Sequence, residues 1–478
     1  MNFFDDFTML IGGAKVRGSK AFPVINPATE AVVADAPDAT REELDAAVAA
    51  AQAAFPAWSA RPIAERQILV REIGDRLAAH MEDFMRLLTL EQGKPRAGAE
   101  WELGGSIHWC HEISKHELPV DVVEDTSEHL VTTRRVPVGV VGAITPWNYP
   151  VLLSIWKIAP ALVAGNCMVL KPSPFTPLTS LKMGELLADL LPPGVFNVVS
   201  GGNDLGRWMT EHSGIAKISF TGSSATGRKI MESSASNLKR ITLELGGNDP
   251  AIVLPDVDPA ALAKDLFWTA FQNSGQICVA AKRVYIHEAV YDAVAAELVG
   301  YAKTLKVGNG LEQGTDLGPI QNEAQFKKLK DLLADTDRLG VRYLLGGEIP
   351  EGQGYFMPIT IVDNPPEDSR CVTEEAFGPL LPLLKFTEID DVVARANRTD
   401  YGLAASVWSS DLDLAQRVAA RLECGQVWIN EAHVFSPNAA FGAHKQSGLG
   451  IANAQDGLVA YTNPQTVSVR RTPLSTAA

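Results

Sequence analysis

The spacing of apolar residues changes character along the chain. Residues 7–36 read as short strands and turns, punctuated by Gly12-Gly13 and Asn26-Pro27. Thr40-Arg41-Glu42-Glu43 then has the spacing of a capping box, in which hydroxyl and carboxylate each accept the other residue's backbone amide, and it opens an Ala-rich helix. Helical spacing continues to about residue 117. Breaks are expected at Pro56, Pro62 and Gly93-Lys94-Pro95, because proline lacks the amide that a helix interior uses. Residues 128–136 alternate as a half-buried strand does, and 137–144 form the unbroken apolar run of a fully buried one.

From there strand and helix take turns. Strands are expected at 168–170, 196–199 and 216–220, with helices at 151–164, 178–190, 203–211 and 223–235. A second series follows Gly246-Gly247. Its strands lie at 250–254, 283–287, 341–345, 358–362, 380–386, 403–408 and 425–430, and its helices at 258–271, 289–304, 322–338, 388–397 and 411–421. That alternation is the signature of parallel sheets with crossover helices, so an α/β chain of two such units is predicted. The tail 464–471 alternates like an edge strand, whose free amides invite another strand.

Composition narrows the function classes. A chain of 478 residues exceeds one core, and 46% hydrophobic with 21% charged residues is ordinary for a soluble globular protein. A formal charge of −15 argues against nucleic acid or an anionic membrane as partner. Five irregularly spaced cysteines form neither a disulfide framework nor a metal-ligand pattern, which points to a reducing, cytoplasmic home and no metal. The N-terminal residues lack the basic and apolar regions of a signal peptide, and Pro, Gly or Lys interrupts every apolar run before it could span a bilayer.

The candidate chemistry centres on the loop from Phe271 to Lys282, where Cys278 follows a helical run among small and amide residues. A lone cysteine is usually an inert, buried apolar group. Here Gly275 permits unusual backbone angles just before it, and Asn273 and Gln276 bring polar groups that an apolar slot has no use for. A thiol nucleophile needs a base and an oxyanion donor. Glu244, inside the apolar run Ile241–Leu245, is the candidate base, since burial raises a carboxyl pKa. Asn148, in the stiff Thr145-Pro146-Trp147-Asn148-Tyr149-Pro150 loop, is the candidate donor. For phosphate, Gly222-Ser223-Ser224-Ala225-Thr226-Gly227 follows a strand and opens a helix whose amides can hold an anion, although its spacing is not that of the usual dinucleotide fingerprint.

Taken together, the Cys278 loop, Leu243-Glu244-Leu245-Gly246-Gly247, Thr145–Pro150, Phe220-Thr221-Gly222-Ser223 and Glu374-Glu375-Ala376-Phe377-Gly378-Pro379 resemble the NAD(P)-dependent aldehyde dehydrogenase superfamily, in family order along the whole chain. The resemblance implies a Rossmann-type cofactor domain from 1–118 and 138–246, a catalytic domain from 247–446, and an oligomerisation arm with C-terminal tail from 119–137 and 447–478. It implies oxidation of an aldehyde to the acid (EC 1.2.1.-) through a Cys278 thioester, with Glu244, Asn148 and a site-ordering Lys157. The implied cofactor is NAD or NADP, with NAD ahead. Its contacts would come from Ile144, Thr145, Pro146, Trp147, Lys171, Ser173, Gly202, Phe220, Thr221, Gly222, Ser223, Gly227, Leu245, Gly246, Glu375 and Phe377. Tyr149, Trp156, Ile277, Val279, Phe435 and Phe441 would line a tunnel for a hydrophobic or aromatic aldehyde, and a homodimer or homotetramer is expected.

Two positions depart from the family pattern. Pro174 stands where many members carry a glutamate that binds both ribose hydroxyls, which leaves NAD against NADP open. Ala452 stands where a carboxylate commonly assists the base. Other readings are a semialdehyde or coenzyme-A-acylating dehydrogenase, a cofactor-free thiol hydrolase and a non-catalytic binding protein. No Arg stands out as a clamp for a semialdehyde's acid group. Glu244 counts against the acylating type, the lack of a His motif beside Cys278 against the hydrolase, and the joint presence of Cys278, Asn148 and Glu244 against the binding protein.

Overall fold

The computed structural model describes residues 3–472. Thr40 caps the first long helix as its spacing predicts: its hydroxyl accepts from Glu43 N (3.2 Å), and Glu43 Oε2 accepts from Thr40 N (2.8 Å). The helix runs from Arg41 to Ala60, straight through Pro56, where a break is expected. Its inner face buries Leu44, Ala47, Val48, Ala51 and Trp58, whereas Pro56 and Gln52 face solvent. The carbonyl that loses its amide partner is therefore exposed to water, and packing overrides the local penalty. Pro62 and Pro95 sit just before the helices Ile63–Ala79 and Arg96–Ile113, as expected.

The first sheet has eight strands in the order Ala14–Val16, Met9–Ile11, Phe196–Val198, Cys167–Lys171, Val140–Ile144, Lys217–Thr221, Arg240–Glu244, Gly448–Leu449. The five central strands are parallel. Chain order reverses at Val140–Ile144, and ligands of open α/β sheets bind at the carboxyl ends of strands beside such a switch point. The crossover helix Pro150–Val163 is apolar nearly all round and buried over almost its whole length, hence fixed on every side.

The second sheet has seven strands in the order Tyr343–Leu345, Thr360–Asp363, Leu380–Phe386, Ala281–His287, Asp249–Val253, Ala404–Trp408, Gln426–Ile429. All are parallel except Tyr343–Leu345. A third, antiparallel sheet joins Val120–Asp125, His129–Pro137 and Thr462–Arg470, the last two in continuous register from Thr462↔Pro137 to Arg470↔His129. Within the segment from 447 onward, Gly448–Leu449 edges the first sheet against Leu243 and Glu244, and Thr462–Arg470 joins the third sheet. Among the described residues no helix is long and apolar enough to cross a membrane, and no group of three or more His, Cys, Asp or Glu is placed to hold a metal ion.

Candidate active site

The helix Pro259–Phe271 ends in a turn whose backbone is strained. Asn273 (φ 52°) and Ser274 (φ 57°) are both left-handed without being glycine, and Gly275 follows at φ 73°. Each such non-glycine residue costs about 1–3 kcal/mol and persists only where its surroundings hold it. Ser274 Oγ donates to Gly318 O (2.7 Å), and Gln276 Nε2 donates to Asn273 O (2.9 Å), while Gln276 Oε1 accepts from Gln321 N (2.9 Å). A Cβ on Gly275 would lie 2.4 Å from Gly378 O, so that position takes only glycine. This turn delivers a half-buried Cys278 to the cavity.

Lys282 closes the loop from behind. Its ammonium donates to the carbonyls of Ile277 (3.0 Å), Cys278 (2.6 Å) and Ala280 (3.1 Å), and lies 3.9 Å from Glu375 Oε1. Burial pushes the Cys278 thiol up to about 12; Lys282 pulls it back, and Asp249, Glu375 and Glu244 push the same way as burial. A thiol nucleophile works best with a lowered pKa, so this thiol rests protonated and needs activation.

Asn148 is held by a buried ion pair. Lys94 Nζ donates to Asn148 O (2.8 Å) and to Glu102 Oε2 (2.5 Å), and sits 3.8 Å from the centre of the Tyr149 ring. The other Glu102 oxygen accepts from Val151 N (2.8 Å) and Leu152 N (3.2 Å), capping the helix that follows the loop. One N–H of the Asn148 amide donates to Gln276 O (2.9 Å), tying this loop to the thiol loop, and the side chain lines the cavity. In the sequence Gly93-Lys94-Pro95 reads as a helix break alone; no local pattern marks a lysine whose partners lie eight and fifty-four residues on.

Glu244 ends the strand Arg240–Glu244, is buried, and has no hydrogen-bond partner on either carboxylate oxygen among the described residues. Burial raises its pKa, and the nearby Lys157 ammonium opposes that rise; burial in turn lowers Lys157. Lys157 Nζ donates to Thr221 Oγ1 (2.7 Å), so the Thr221 hydroxyl faces this side of the site.

The expected cofactor residues meet at the switch point. Thr145, after the strand ending at Ile144, donates its amide to Lys171 O (3.1 Å), which sets Pro146 and Trp147 beside the strand end carrying Lys171 and Ser173. Gly202 caps the helix Asn203–Glu211, and Lys171 passes close to Gly206 of that helix. Ser223 caps Ser224–Ala235. Added Cβ atoms would lie 2.4 Å from the Phe220 ring at Gly222 and 2.7 Å from Leu245 at Gly227, so both glycines let backbone approach closely. Lys171 is buried with, among the described residues, only Pro172 O (3.2 Å) as hydrogen-bond partner, and burial lowers it to about 8. Glu375 Oε1 accepts from Gly247 N (3.0 Å), with Gly246 pressed against the same carboxylate, and Phe377 (φ 53°) meets Trp147 edge-on at 5.3 Å. Backbone amides at a helix start, an under-used buried ammonium and a carboxylate beside a glycine pair suit the phosphates and ribose hydroxyls of a dinucleotide.

A cavity of about 860 Å³, mouth included, joins the thiol to the base. Cys278, Asn148, Glu244 and Lys157 share it with the expected Tyr149, Trp156, Ile277, Val279, Phe435 and Phe441. Trp156 packs on Trp109, Phe435 and Phe441 at 5.1–5.8 Å. Trp101, Gln272 and His433 also line it and were not foreseen. His433 Nδ1 lies 2.9 Å from Gln272 Oε1 and Nε2 3.3 Å from Val279 O, and burial drops the imidazole to about 4. No arginine lines the cavity.

Comparison with known proteins agrees with this geometry. The aldehyde dehydrogenase family model matches residues 15–467. Phenylacetaldehyde dehydrogenase of Pseudomonas fluorescens is 38% identical over 479 residues, covering 96% of this chain and 95% of its own. The NAD+ complex of an aldehyde dehydrogenase from Bacillus cereus superposes with a TM-score of 0.95 at 35% identity, covering 98% of each chain. An NADP-dependent enzyme from E. coli superposes at 0.95 with 36% identity, covering 97% of this chain and 98% of its own. The chain belongs to the aldehyde dehydrogenase family, and is an oxidoreductase that acts on an aldehyde with NAD or NADP.

Proposed function

We propose that the protein oxidises a hydrophobic or aromatic aldehyde to its carboxylic acid through a thioester on Cys278. The observation that carries this reading is one cavity in which Cys278 and Glu244 share a largely apolar lining rich in aromatic rings. The Cys278 thiol first gives its proton to solvent water; the resulting thiolate adds to the carbonyl carbon, and the developing oxyanion accepts from the Asn148 amide and the Cys278 backbone N–H. A bound nicotinamide would supply the acceptor for the hydride that leaves that carbon. Glu244 takes a proton from water, the resulting hydroxide adds to the thioester, and the acid leaves as Cys278 returns to thiolate. Lys171 and Ser173 would hold the adenosine side of the cofactor, the Gly222-Ser223 turn its phosphates, and Glu375 its second ribose.

The relative named for phenylacetaldehyde supports the aromatic reading. So does the cavity lining, whose charged side chains are only Glu244 and Lys157, with no arginine to clamp a semialdehyde acid. The free thiols fit a cytoplasmic home. The arm, which exposes Val120, Val122, Val123, Val467 and Val469, is the surface for pairing with a second copy. The test is a panel of aldehydes assayed by absorbance of the reduced nicotinamide, with NAD and NADP side by side. Phenylacetaldehyde and medium aliphatic aldehydes should exceed acid semialdehydes in kcat/KM by about tenfold or more, the scale of one or two buried methylenes. A semialdehyde preference or an absolute need for coenzyme A would overturn the substrate reading.

A further inference from the structure

The strands Lys217–Thr221 and Arg240–Glu244 run parallel, pairing Lys217 with Arg240, Ser219 with Thr242 and Thr221 with Glu244. Paired residues at every second position share one face of a sheet, so these six polar side chains form a single ladder. All are buried except Arg240, which is exposed. The ladder thus runs from the buried carboxylate of Glu244 toward the surface, about 13 Å in four residues.

Groups from other elements bond to two of its hydroxyls, and Lys217 spans to the next rung. Lys157 donates to Thr221, the Tyr461 hydroxyl donates to Ser219 Oγ (3.1 Å), and Lys217 Nζ donates to Thr242 Oγ1 (2.6 Å) while lying 5.0 Å from the Tyr461 ring centre. Lys157, Ser219, Thr221, Thr242, Glu244 and Tyr461 all line the cavity that holds Cys278. Ala452 lines the same wall and offers no acceptor.

Lys217 is the anomaly in this row. It is 2% exposed and, among the described residues, has no ion pair with a carboxylate; the charged groups acting on it are Arg240 and Lys157, both cations. A buried amine so placed favours its neutral form, and burial lowers Lys217 to about 7. A buried ammonium would need a counter-charge; a neutral amine is a proton acceptor.

We propose that Lys217 is the relay residue that receives, through this hydroxyl ladder, the proton Glu244 takes from the deacylating water. The water O–H bond breaks and its proton goes to the Glu244 carboxylate. It then passes along the hydroxyls of Thr221, Ser219, Tyr461 and Thr242 and the water among them to the neutral Lys217 amine, and leaves at the Arg240 end. Glu244 returns to carboxylate and nothing is oxidised or reduced. The inference rests on Glu244 being the base, and concerns only where its proton goes.

The test uses the full chain with Lys217→Met and Lys217→Arg, an arginine keeping the charge but remaining protonated. A first-turnover burst of reduced nicotinamide reports acylation, and the rate after it reports deacylation. Both variants should keep the burst, deacylate more slowly by on the order of tenfold or more, and lose the limb of the deacylation pH profile near 7. Lys217→Gln stands in if Lys217→Met does not fold. The proposal fails if a folded variant deacylates at the unmodified rate with the unmodified profile, or if burst and later rate fall in parallel, as a structural lysine would produce. Glu244→Gln separates the two readings: if it deacylates normally, the base assignment itself is wrong; if it stalls while the Lys217 variants do not, only the relay is.

Discussion

Replacing Lys94 by methionine should weaken the fold and the chemistry together. The Lys94 and Glu102 side chains are at most 1% exposed and meet at 2.5 Å. Removing one partner of such a pair strands a buried charge, at a cost of about 3–5 kcal/mol. Backbone amides of Val151 and Leu152 still reach the stranded carboxylate, which places the expected loss near the lower figure. The same change deletes the bond from Lys94 to Asn148 O and leaves that carbonyl with only Asn273 Nδ2 at 3.3 Å. An unpinned loop that drifts by about 1 Å costs on the order of a hundredfold in rate. Denaturant unfolding should show the stability loss, and single-turnover formation of reduced nicotinamide, measured well below the unfolding transition, should show the rate loss. Arg96→Met removes the exposed pair with Glu82 two residues away and should change neither. Undiminished stability in Lys94→Met would refute the buried-charge argument; lost stability with an unchanged single-turnover rate would refute the link to Asn148.

Three further substitutions probe other parts of the site. Gly275→Ala sets a methyl against Gly378 O at a positive φ, and should abolish adduct formation at Cys278 while leaving most of the helical signal in circular dichroism. Lys282→Met removes the cation that stabilises the Cys278 thiolate, so the thiol pKa rises further and iodoacetamide labelling at a fixed pH slows; faster labelling would contradict that sign. If Lys171 holds the adenosine side as proposed, Pro174→Glu, which adds a carboxylate three residues on, should lower kcat/KM for NADP about tenfold, a repulsion of roughly 1.4 kcal/mol, with NAD unchanged or improved.

Much of the architecture was legible because it is written in local periodicity. The buried strand at 140–144, shorter than the apolar run 137–144 because Pro137 ends the preceding strand and Gly139 turns the chain, the capping box at Thr40 and the strand–helix alternation after residue 140 each follow from where apolar side chains must point. The residues brought together around Cys278 were legible as motifs, through the family resemblance more than through any one spacing. What stayed hidden depends on contacts between distant segments. Lys94 reads as punctuation until Glu102 and Asn148 enclose it, and Lys282 as one more loop residue until three carbonyls converge on it. Asn273 tolerates the left-handed region, but two such residues in a row, the second a serine, obey no propensity; the turn is held by Gly318, Gln321 and the neighbouring Gly275. The Pro56 break failed for the converse reason, since burial of one helix face outweighs a missing amide bond on the wet side.

The proposed catalysis turns on a covalent acyl group at one sulphur, and intact mass measurement tests for it most directly. Glu244→Gln mixed with oxidised cofactor and phenylacetaldehyde should gain the mass of one phenylacetyl group per chain, on the peptide containing Cys278, with one equivalent of reduced cofactor formed. Reduced cofactor appearing with no added mass, or with the mass on any other residue, would contradict it.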